Sequence, residues 1–122
     1  MPWVDQREIE EMLHVEKIKM EIVAAKGVLP PKENIEALGF MTNYYVNMTG
    51  RAGKAKAMRD QMMAHYLQRD DIAIGRAEAL AKGSPFGMMK SYYEKACEGY
   101  LAIVNTLKKV HEYHADVAMG KY

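Results

Sequence analysis

Apolar residues recur at steps of three and four through most of this chain, and no stretch alternates apolar with polar as a half-buried strand would. The pattern is strongest over residues 85–119. Phe86, Met89, Tyr93, Ala96, Tyr100, Ile103, Leu107, Val110, His114 and Val117 hold a three-four spacing, and Tyr92, Cys97 and Val104 widen the stripe. That spacing predicts a long amphipathic helix lying at a shallow angle against a neighbour. Just before it, Gly83-Ser84-Pro85 suits a helix stop, an N-cap and a first helical position in turn.

A second seam runs through Leu38, Met41, Tyr45, Met48, Ala52 and Ala55, then Met62, Tyr66, Ala73 and Leu80. Its helix starts near Pro31 or Glu33. Gly50 and Gly53 interrupt it, so the helix either breaks near Thr49-Gly50 or passes a neighbour closely there. Continuity to about Gln68 is the preferred reading, with a break at Asp70-Asp71 and Asp71 capping a shorter helix that reaches Lys82.

Residues 5–26 read as a first helix, capped by Asp5 with Glu8 three positions on and stopped by Gly27 ahead of Pro30-Pro31. Its apolar residues fall on two sides. Ile9, Met12, Leu13, Met20 and Val23 share one face; Val15, Ile18 and Ile22 lie nearly opposite. A surface helix of a monomer needs one such stripe. Two stripes call for cover on both sides, and in a short chain a second subunit is a ready source. Val15, Ile18 and Ile22, with Met89, Tyr93 and Tyr100 of the last helix, are therefore the candidate oligomer interface. The expected architecture is all-α: a long helical hairpin or helix bundle, with coiled-coil-like packing of three to four helices, in one domain over residues 1–122.

Composition narrows the function classes. At 49% apolar and 27% charged the chain is neither disordered nor fibrous, and no apolar run is long enough to span a bilayer. The polar, acidic start is unlike a secretory signal, so the expected compartment is the cytoplasm, with no membrane partner. A net charge of +1 gives no global pull toward nucleic acid. The lone Cys97 can form no internal disulfide and reads as a small core residue. Eleven methionines suit an adaptable core and interface.

Three constellations have chemical potential. Arg51, Lys54, Lys56 and Arg59 form a basic run with Tyr44 and Tyr45 upstream, residue types suited to phosphate contact and base stacking. Glu11 and His14 have the spacing of one ligand pair of a di-iron bundle, but no second Glu-x-x-His pair exists. His111 and His114 form a second pair at the same spacing and would need further ligands for zinc. No P-loop, dinucleotide fingerprint or nucleophile elbow is present, so no cofactor and no catalytic residue is implied.

Met48-Thr49-Gly50-Arg51-Ala52-Gly53-Lys54-Ala55, then Ala77-Glu78-Ala79-Leu80-Ala81-Lys82-Gly83-Ser84, then a tyrosine-bearing helix ending Leu107-Lys108-Lys109-Val110, resemble small all-helical proteins of bacteriophage early regions, often encoded near recombination genes. The resemblance spans residues 45–110, rests on helix formers and small-residue placement, and carries no catalytic signature. It implies an accessory role in phage DNA metabolism or host interaction. The function expected from the residues themselves is a non-enzymatic, homo-oligomeric interaction protein with a macromolecular partner. The alternatives are a nucleic-acid-binding accessory protein and a metal-binding helical bundle.

Overall fold

The computed structural model describes residues 4–69 and 72–120. Helix α1 (Gln6–Ala24) begins where Asp5 turns to extended backbone and its Oδ1 accepts the Glu8 N–H at 2.8 Å. That bond satisfies one of the donors every helix start leaves open. The helix ends in a Schellman turn, with the Gly27 N–H on the Ile22 carbonyl and the Lys26 N–H on that of Val23. The sequence places the left-handed stop at Gly27. The structure puts Lys26 there first, at φ 55, and Gly27 follows at φ 88. Two successive left-handed residues reverse the chain sharply.

Helix α2 (Pro31–Arg69) starts with the Asn34 N–H on the Pro30 carbonyl and then runs unbroken for 39 residues. The preferred continuity through the two glycines is what the structure shows; the alternative break does not occur, and neither does a close crossing. A Cβ at Gly50 or Gly53 would meet nothing within 4 Å. Helix α3 (Ile74–Gly83) follows, and its N-cap position is Ala73, which makes no side-chain cap bond. The expected cap, Asp71, lies outside the described residues.

Helix α4 (Pro85–Ala118) is joined to α3 through Ser84. The Ser84 hydroxyl donates to the Ala81 carbonyl at 2.6 Å and accepts the Gly87 N–H at 3.2 Å, closing one helix and opening the next. Pro85 takes the first helical position as its fixed φ favours. Gly83 is the last residue of α3 instead of a left-handed stop beyond it. No strand occurs among the described residues, and the fold is an all-α helical bundle.

Where the sequence reads as one domain, contacts divide the chain into two compact units, residues 1–45 with 99–122, and residues 46–98. In the first, Val15 and Ile18 of α1, Ala37, Met41 and Tyr44 of α2, and Val104, Leu107 and Val110 of α4 are buried together as a core. Asn34 is also fully buried there, and its Nδ2 donates to the Leu107 carbonyl at 3.0 Å. The Nδ2 donor favours this register, because other registers leave it unpaired, although the buried Oδ1 has no partner here. In the second unit the buried residues are small or flexible: Met48, Ala52, Ala55, Ala77 and Ala81, with Tyr93. The seam of α2 thus faces inward as its spacing predicts. Ala73 and Leu80 do not belong to it, since the interruption before α3 resets the helical phase and leaves both exposed.

Candidate functional site

At about 100° per residue, a helix can turn only one side toward its own bundle. Helix α1 turns Val15 and Ile18 inward, and both are buried. Its other stripe stays open: Ile9 is 43% exposed, Leu13 65%, Met20 71% and Val23 78%. These four side chains fall within an arc of about 80° on the outward side. Exposed apolar residues scattered singly mean little, whereas a stripe aligned along one helix marks a contact surface. Complete burial of side chains of this size contributes about 1.5–3 kcal/mol each. Even partial cover of four is large beside the ~5–15 kcal/mol stability of a typical domain.

Glu16 falls between Leu13 and Met20 on the same stripe, and its carboxylate stands 2.9 Å from the Lys19 ammonium. Beside this part of the stripe opens a notch of about 260 Å³ lined by Ile9, Met12, Leu13, Val15, Glu16 and Tyr100. A larger open groove of about 720 Å³ runs between α1 and α2, where Lys17, Glu21, Glu33 and Glu36 border Phe40.

The candidate interface drawn from the sequence needs correction. Val15, Ile18 and Tyr93 are consumed by the chain's own core. Ile22, Met89 and Tyr100 are half-buried. The Tyr100 ring lies 4.8 Å from that of Tyr44, with the hydroxyls 3.5 Å apart. Helix α1 carries two apolar stripes, but only the Val15–Ile18 side is covered within the chain, so the stripes exchange the roles expected of them. The reversal at Lys26–Gly27 fixes which side of α1 meets α2, and periodicity alone does not carry that information.

The metal candidates are not brought together. Glu11 pairs with Arg7 at 3.3 Å, and the His14 ring stacks on Phe40 with centroids 4.0 Å apart. His114 Nε2 donates to the Leu29 carbonyl at 2.7 Å, tying the α1–α2 connection to α4, while His111 faces solvent. Among the described residues no group of three His, Cys, Asp or Glu could hold a metal ion.

The basic run is split in character. Lys54 and Lys56 are exposed. Arg59 reaches Asp60 at 2.8 Å, and Arg51 turns back onto the Met48 sulfur at 3.8 Å. Tyr44 is buried and has no free face on which a base could stack; Tyr45 is half-buried. The spacing of Tyr44 with Met41 and Met48 marks a core position, which leaves Tyr44 unsuited to base stacking.

Cys97 is half-buried, with its Sγ 3.9 Å from the Thr49 hydroxyl. Burial raises its pKa above the usual thiol range; Thr49 opposes the shift and the Glu94 charge adds to it. A raised pKa keeps the reactive thiolate scarce at neutral pH and shifts its appearance to higher pH. Iodoacetamide should therefore label Cys97 in the folded chain more slowly than a free thiol at pH 8, with the rate profile displaced upward. Labelling at the rate of the unfolded chain would contradict this.

Fold and site together define an all-α helical protein whose first helix presents an apolar stripe along its outer side. No family model, curated protein or solved structure matches the chain. No helix among the described residues is long and apolar enough to cross a membrane.

Proposed function

We propose that this chain is a non-enzymatic cytoplasmic interaction protein that self-associates and presents a helical surface to a macromolecular partner. The observation that supports this is the open stripe of α1, four large apolar side chains aligned on one side of one helix. The unit of residues 46–98 is the part assigned here to that partner. Its sequence holds nine Lys and Arg against six Asp and Glu. Such a balance, with Lys54 and Lys56 exposed, suits a partner with an acidic surface. The accessory role implied by the phage-like run of residues 45–110 fits this division of labour.

Light scattering after size exclusion tests the reading. At high micromolar concentration the chain should elute with a mass above its own 13.9 kDa. The double variant Leu13→Lys/Met20→Lys should return it to a single chain. Both side chains are exposed, so helix content by circular dichroism should not change. A wild-type chain that stays monomeric at high micromolar concentration would refute the proposal.

A further inference from the structure

Self-association through α1 requires an element shaped to its open stripe, and we infer that this element is α1 of a second copy, lying antiparallel across it. The inference rests on the self-association proposed above. Ile9, Leu13, Glu16, Met20 and Val23 alternate steps of four and three, the spacing of one coiled-coil seam. Three pairings of α1 with itself keep at least four of these five residues in layers, and the residues flanking the stripe distinguish them.

In a parallel pair, Asp5 of one copy lies beside Glu10 of the other, like charge against like. In an antiparallel pair centred at Ile18, Lys17 meets the second copy's Lys17 and Lys19 meets its Lys19. In an antiparallel pair centred between His14 and Val15, Ile9 meets Met20 of the second copy, Leu13 meets its Glu16, and Glu10 meets its Lys17. The last arrangement is the one that sets opposite charges against each other, Glu10 of each copy on Lys17 of the other along one edge.

Two features of the stripe fit that register. Met20 of the second copy arrives at Ile9, beside the notch lined by Ile9, Met12, Leu13 and Tyr100, and methionine fills irregular space well. Glu16 keeps its carboxylate on Lys19 at 2.9 Å, so its methylenes can cover the second copy's Leu13. The charge order along the helix agrees. Residues 5–16 hold five acidic side chains and one basic, and residues 17–26 hold three basic and one acidic. That order also suits the dipole of the helix itself, so the choice of register rests on Glu10 and Lys17. A helix of this length spans roughly 28 Å, which makes the contact smaller than a standard interface and the dimer weak and reversible.

Charge exchange followed by sedimentation equilibrium tests the register. Glu10→Lys alone and Lys17→Glu alone should each weaken the dimer about tenfold, because each turns two exposed pairs repulsive. The double variant Glu10→Lys/Lys17→Glu should restore wild-type association. If the chain dimerises but the double variant is as weak as the singles, or the singles change nothing, the register is wrong and self-association stands. A wild-type monomer overturns both.

Discussion

Leu107→Ala should lower the unfolding free energy by about 3–4 kcal/mol, among the largest losses any single truncation in this chain produces. Leu107 is 1% exposed, at the middle of the α4 stripe, in the core that Val15 and Ile18 of α1 and Met41 of α2 complete. Removing its side chain loses the transfer free energy of the missing methyl groups. It also leaves a cavity that the rigid helices around it can close only in part. The buried Asn34 adds to the constraint, since its amide is anchored on the Leu107 carbonyl and resists any shift of α4 that would fill the space. Urea denaturation checks this: the midpoint should fall with little change in slope. A loss below about 1 kcal/mol would mean that this face of α4 is not a core.

Gly87→Ala should also destabilise, against the general rule for a helix. Alanine normally improves on glycine inside a helix by about 1 kcal/mol. At Gly87, a Cβ would collide with the carbonyl oxygens of both Ala81 and Lys82, which are backbone atoms and cannot rotate away. The α3–α4 corner would have to open, breaking the paired bonds of Ser84 to Ala81 and Gly87. The expected cost is about 2–3 kcal/mol. Gly50→Ala is the matched control: its added Cβ meets open space, so the same substitution should raise the melting temperature. Two glycines in helices, changed identically, should thus move stability in opposite directions. If both variants are stabilised, the α3–α4 corner is not closely packed at Gly87.

Helix existence was plain in the sequence because three-four spacing, caps and proline placement all agreed. Asp5, Ser84 and Pro85 occupy the positions their chemistry suggests. Less legible was anything that depends on rotation about a helix axis. Helix α1 has two apolar stripes of similar strength, and the turn at Lys26–Gly27, whose first left-handed residue is a lysine, decides which one goes inside. Glycines misled in the same way. Gly50 and Gly53 look like a break or a crossing, whereas the glycine that a close approach requires is Gly87, which the sequence did not distinguish. Asn34 was legible in principle, as a polar residue one heptad before Met41 in the seam. Histidine and glutamate spacing suggested ligand pairs, but shared spacing on one helix does not bring two helices' side chains together, and His14 and His114 hold other partners.

Cover of the outer stripe of α1 by a second copy, as proposed, is read directly by methionine oxidation. Met20 and Met119 are equally exposed in the single chain, each at 71%. Peroxide should therefore convert both to sulfoxide at similar rates in dilute solution. As concentration rises into the high micromolar range, oxidation of Met20 should slow while Met119 keeps its rate, followed residue by residue by peptide mass spectrometry. A Met20 that keeps pace with Met119 at every concentration would contradict the account.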